Sequence, residues 1–168
     1  TSGQSYVVFG RTANSWISPV DGAFGTDSNW SSGEVPTGGP VFITPVFGVT
    51  VTGPAGALAI DLLALGADVG RTEFAMQPGS LIEIEDEFVI SSSATLSGSG
   101  TLIVDEGLLN DGLLEPTDLT VFSAGGVVNN AELRLEALVG LRGMELYGLL
   151  TNEAGGDLFI RGATTLET

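Results

Sequence analysis

Twenty-one carboxylates carry most of the acid–base chemistry in this 168-residue chain. It has no histidine, cysteine or lysine, and its five basic residues are Arg11, Arg71, Arg134, Arg142 and Arg161. A Ser-His-Asp triad, a thiolate nucleophile, a Schiff-base lysine, a thiolate or imidazole zinc centre and an iron–sulfur cluster are therefore excluded within the chain. Paired carboxylates remain. A glycosidase needs two at a set separation, one of them protonated at working pH. The densest cluster is Glu83, Glu85, Asp86 and Glu87, and a second is Asp105, Glu106 and Asp111. Alternation along a strand puts Glu83 and Glu85 on one face, with Asp86 and Glu87 in the following turn. The competing reading, a solvated acidic rim, is the better supported. No catalytic residue is assigned and no enzymatic activity is expected. A polysaccharide lyase would need an arginine or lysine base beside calcium-binding acids, and five scattered arginines fit that poorly.

Three further groups invite a functional reading. Asp21, Asp27 and Asn29 sit in one glycine-containing loop and are the calcium candidates. Their spacing is neither that of an EF-hand nor that of a calcium-binding β-roll, and an Asx-turn loop accounts for them as well. No other cofactor is expected. Asn110, Asn130 and Asn152 recur at similar points of a repeat. They read as a structural ladder at a coil corner, because Asn tolerates turn geometry and its amide bonds an equivalent Asn above and below. Trp16, Trp30, Phe24 and Tyr6 could stack on sugars, but they read better as a plug over the open end of a core.

The elements that position these residues are short strands. Hydrophobic residues make up 43% of the chain against 15% charged, with 25 glycines, so the chain is an all-β protein rich in turns and not an acidic disordered tail. Apolar–variable–apolar triplets recur from residue 41 onward: Val41-Phe42-Ile43, Val49-Thr50-Val51, Ile60-Asp61-Leu62, Ile82-Glu83-Ile84, Phe88-Val89-Ile90, Leu102-Ile103-Val104, Leu119-Thr120-Val121, Leu133-Arg134-Leu135, Met144-Glu145-Leu146 and Leu158-Phe159-Ile160. Outer members point inward and middle members outward. Phe42, Ile103 and Phe159 are apolar at outward positions and are the candidate subunit contacts. Gly107-Leu-Leu-Asn-Asp-Gly, Gly126-Val-Val-Asn-Asn-Ala and Gly148-Leu-Leu-Thr-Asn-Glu are copies of one another at a period of about 20 residues, the length of one solenoid coil. The expected fold is a right-handed parallel β-helix (β-solenoid), with a loop-rich N-terminal cap over 1–40 and five or six coils over 41–168, continuing or stacking beyond residue 168. A β-sandwich is the rival architecture. Residues 57–65 admit either a helix or a buried strand.

The segment from Asp21 to Pro36 contains Asn29-Trp30-Ser-Ser-Gly33-Glu-Val-Pro36. It resembles the NW-x-x-G-x-x-P motif that precedes the coils of large secreted bacterial β-helix proteins, the autotransporter passengers and surface adhesins. The likeness runs by motif over residues 14–66 and by texture beyond. It implies a parallel β-helix and an extracellular or cell-surface location, and it says little about activity. A fainter likeness joins Gly3–Gly10 to the end of an FG-GAP propeller repeat. One copy builds no propeller, so this segment reads as a strand.

Taken together, these features point to a structural or adhesive segment of a secreted or surface-displayed protein: a rigid acidic rod that contacts other copies of itself, surface proteins, cells or matrix, in a filament, a surface layer or an adhesin. The alternatives are a carbohydrate-binding or polysaccharide-degrading β-helix, tailspike-like or lyase-like, and a virion decoration protein. Glycans are candidate ligands. A formal net charge of −16 disfavours nucleic acid and anionic membranes. No apolar run is long enough to insert in a bilayer.

Overall fold

A computed structural model describes residues 12–136 and 143–161. The chain winds as a parallel β-solenoid of about five turns. Strands β1 (Asn14–Ser15) and β2 (Gly22–Ala23) form a first, partial turn, followed by a single 3-10 turn at Asp27–Asn29. The second turn holds β3 (Pro40–Ile43), β4 (Thr50–Thr52) and β5 (Ala57–Ile60), and the third β6 (Leu62–Leu65), β7 (Thr72–Met76) and β8 (Leu81–Ile84). The fourth has β9 (Glu87–Ile90) and the long β10 (Ala94–Val104), and the fifth β11 (Gly107–Asn110) and the long β12 (Leu113–Ser123). The sixth has β13 (Val127–Asn129), β14 (Glu132–Glu136) and β15 (Gly143–Tyr147), after which come β16 (Leu150–Asn152) and β17 (Asp157–Arg161).

Stacking these turns makes three faces. The first is a seven-stranded sheet, β1-β3-β6-β9-β11-β13-β16. The ten-stranded sheet covers the other two: β2-β4-β7-β10-β12-β14-β17 form the second, and β5, β8 and β15 with the later halves of β10 and β12 form the third. β10 bends between the two faces at Gly98, whose φ of +91° suits glycine and whose missing Cβ leaves room for the Met76 carbonyl oxygen. The register there shifts between Gly98 and Ser99.

Every pairing between these strands is parallel, which rules out the sandwich, since neighbouring sandwich strands run antiparallel; an isolated antiparallel bridge joins Trp16 to Trp30 within residues 1–40. Residues 57–65 form no helix. They make β5 and β6, two strands meeting at a corner on Asp61. The Ala/Leu helix propensity loses because Leu58 and Ile60 stack on Ile82 and Ile84, and Leu63 and Leu65 on Phe88 and Ile90. Ile60-Asp61-Leu62 is accordingly a corner and not a strand centre. Winding also begins inside the expected cap, for β1 and β2 already pair in parallel with β3 and β4.

Inward residues form columns along the axis. Val41, Leu63, Phe88, Leu108 and Val127 make one, all buried. Val51, Phe74, Leu96, Leu114 and Leu133 make another, and Ile82, Leu102 and Val121 a third. Each buried Leu, Ile or Phe stabilises the fold by about 1.5–3 kcal/mol through water exclusion, and the columns join into one continuous core.

Candidate functional site

The aromatic residues of the cap close the early end of that core. Trp30 is 1% exposed, Phe24 1% and Trp16 4%. Trp16 meets Trp30 edge-on with ring centroids 5.3 Å apart, and Phe24 packs on Trp30 at 4.7 Å and on Phe74 at 6.2 Å. Both indole N–H groups are used internally, Trp30 Nε1 donating to the Phe24 carbonyl at 2.7 Å and Trp16 Nε1 to that of Ser18 at 3.0 Å. No ring face among these three is free for a sugar; they are a plug. Tyr6, like the rest of Gly3–Gly10, lies outside the described residues. The Asn29-Trp30-x-x-Gly33-x-x-Pro36 pattern has a local explanation. Asn29 Nδ2 donates to the Ala23 carbonyl at 3.1 Å, Trp30 and Pro36 are buried, and Gly33 turns the chain at φ +75°.

The calcium candidates tie backbone together. Asp21 Oδ1 accepts the Thr50 N–H at 2.7 Å and Asp27 Oδ1 accepts that of Val35 at 3.0 Å. With Asn29 turned to Ala23, the three side chains serve separate backbone groups. Among the described residues no three acidic side chains gather as a metal cluster.

The asparagine ladder exists, with one member corrected. Asn110 Nδ2 donates to Asn129 Oδ1 at 2.6 Å, and Asn129 Nδ2 to Asn152 Oδ1 at 2.6 Å. The middle rung is therefore Asn129 and not Asn130. Asn130 is exposed and donates to Asp111 Oδ1 at 2.7 Å. Alternation decides between these neighbours: Asn129 pairs with Asn110 and points inward, so Asn130 falls at the corner. Asn110 and Asn129 are fully buried, continuing the inward column of Ile43, Leu65 and Ile90.

The carboxylate clusters are dispersed. Glu83 is outward on β8. Glu85 and Asp86 lie beyond that strand, at the corner between the third and first faces, and Glu87 opens β9. Asp105 and Glu106 occupy the same corner one turn later, exposed like Glu83, Glu85 and Asp86. These five form a rim, and Asp111 of the second cluster lies apart from them, at the corner between the first and second faces.

The candidate contact residues fall on three different faces. Phe42 is half-buried on the first, in an outward apolar column with Ala64, Val89, Leu109 and Val128. Ile103 is half-buried on the third. Phe159 pairs with Arg134 on the second, and its side chain lies outside the described ones.

Sequence reasoning missed two features. Phe122 and Tyr147 stack on the third face at a centroid distance of 4.6 Å and an interplanar angle of 10°, being 41% and 54% exposed. Each follows the inward residue that ends a triplet, Val121 or Leu146, so carrying the alternation one residue further would have found them. The second is a notch where the first face meets the second. Arg71, Asp111, Glu132 and Asp157 line it over Gly112 and Ala131. It exists because corners 91–93, 111–112 and 130–131 are short, while 66–71 and 153–156 are longer.

Among the described residues no helix is long and apolar enough to cross a membrane. No family model, curated protein or solved structure matches the chain, so the parallel β-solenoid assignment stands on geometry alone.

Proposed function

We propose that this chain is a non-enzymatic structural or adhesive segment of a secreted or surface-displayed protein, a stiff acidic rod whose outward faces make contacts with other subunits, cells or matrix. The observation that carries this reading is the uninterrupted parallel ladder on the first face, from β1 to β16, with its outward apolar column from Phe42 to Val128. Parallel stacking adds about 4.8 Å of length per turn and holds each side chain in line with the one below. Such a frame presents a repeating surface while moving little itself. The likeness of the Asn29–Pro36 motif to secreted bacterial β-helix proteins supports the location.

Beads coated with the chain are expected to bind cells or matrix proteins and to release no reducing sugar from a polysaccharide panel. Release of reducing ends, or beads that bind nothing, overturns the assignment. One feature favours a second reading, glycan binding. The notch at Asp111, Glu132 and Asp157 offers carboxylates to sugar hydroxyls beside the Arg71 guanidinium. A glycan array separates the two, because only the second reading expects a saccharide hit that Asp157→Ala abolishes.

A further inference from the structure

The third face and its corner with the first face carry a surface divided in two along the axis. Its outward column reads Ala59, Glu83, Ile103, Phe122, Tyr147, one residue per turn. The early half is acidic, with Glu83 on the face and Glu85, Asp86, Asp105 and Glu106 along the adjoining corner. The late half carries an apolar run, with Ile103, the stacked Phe122 and Tyr147, and Leu149, 71% exposed, at the same corner, while Thr101, Thr120 and Glu145 hold the register positions two residues earlier on the same strands. Backbone bonds between successive turns hold the corner: Glu85 N to the Ile60 carbonyl at 3.0 Å, Asp105 N to that of Ile84 at 3.0 Å and Ala124 N to that of Val104 at 3.2 Å. The described arginines lie elsewhere, Arg71 at the opposite edge of the first face, Arg134 and Arg161 on strands of the second.

We propose that this surface docks a short cationic polypeptide segment of another protein, with arginine or lysine against the acidic half and an apolar or aromatic side chain against Ile103, Phe122 and Tyr147. Charge complementarity selects the occupant. A second copy would set acid against acid with −16 on each chain, and a nucleic acid or anionic bilayer meets the same repulsion. A sugar needs an open aromatic face, whereas Phe122 lies between Ile103 and Tyr147 in the column. Four turns at about 4.8 Å and a five-residue strand at about 3.3 Å per residue give a patch on the order of 300 Å². That is well below the ~800 Å² per partner of a stable globular interface and suits a peptide.

This inference rests on the contact role proposed above and names its partner chemistry. Its test uses the full chain and a fluorescein-labelled peptide alternating arginine with leucine and tryptophan, read by anisotropy across a salt series. Binding is expected, at least tenfold weaker for Phe122→Ser and for the combined Glu85→Gln, Asp86→Asn, Asp105→Asn, Glu106→Gln variant, with a shallower salt dependence in the latter. The matched control, Glu34→Gln with Asp68→Asn, Glu73→Gln and Glu115→Gln, removes four carboxylates away from the third face and is expected to bind within twofold of wild type. Circular dichroism confirms that each variant is folded. The proposal is overturned if the peptide does not bind, if Phe122→Ser binds as wild type, or if the control loses as much as the corner variant. Cell or matrix binding that survives the corner and Phe122 variants sinks this inference alone, whereas beads that bind nothing sink the contact role beneath it.

Discussion

The same inward column of the first face is built in two ways. In the second to fourth turns it is Ile43, Leu65 and Ile90; from the fifth it is Asn110, Asn129 and Asn152. The early turns gain water exclusion there and are closed by Trp16, Phe24 and Trp30. The late turns gain a chain of amides in which each Asn also bonds backbone: Asn110 Nδ2 to the Glu132 carbonyl at 3.0 Å, Asn152 Nδ2 to that of Gly156 at 2.8 Å. An apolar column tolerates a change in fill. A buried amide column is all or nothing, because a broken rung leaves neighbouring donors and acceptors unpaired in a low-dielectric interior. The lesson is that one solenoid position accepts either chemistry, provided it is consistent from turn to turn.

Four single substitutions and one triple replacement probe this contrast. Trp30→Ala, which opens the plug over Phe24 and Phe74, is expected to cost about 3–5 kcal/mol in urea unfolding, the range for emptying a large aromatic site. A loss below about 1 kcal/mol would mean the cap rides on the core without closing it. Asn129→Ala breaks two ladder bonds at once, to buried Asn110 and to exposed Asn152, and is expected to cost about 1–3 kcal/mol. Replacing Asn110, Asn129 and Asn152 together by Leu should cost less than the single Ala change if the amide-to-amide rungs dominate, because it removes both ends of each rung and leaves only backbone anchors, the Gly112 N–H among them, unpaired. The reverse order in chemical denaturation would show that the backbone anchors matter more than the ladder. Asp21→Ala frees the Thr50 N–H at an exposed corner and is expected to cost about 1 kcal/mol, with faster amide exchange at Thr50 and little change at Asn129. Arg134→Gln removes contacts to Glu132 at 2.6 Å and Glu115 at 3.6 Å on an open face. Its thermal midpoint is expected to match wild type, because exposed ion pairs contribute little.

Legibility in the sequence differed by residue. Phe88-Val89-Ile90 announces its inward and outward members by alternation alone, and β9 follows it. Ile60-Asp61-Leu62 shows the same pattern and is a corner, because three residues cannot say whether the chain runs straight or turns between them. Asn129 and Asn130 are identical side by side, and only the partner strand β11 decides which turns inward. Phe122 and Tyr147 lie 25 residues apart and become a stacked pair through register.

The amino-acid sequence by itself determined that the chain is all-β, built of short repeated strands, acidic and without histidine, cysteine or lysine. Composition and period-two alternation are local properties, so they survive without a partner strand. The tertiary structure alone decided which asparagine joins the ladder, where the corners fall, and that Glu85, Asp105, Phe122 and Tyr147 share one edge. Those outcomes depend on the residue offset between successive turns, set by how many residues each corner consumes, and no single turn carries that information.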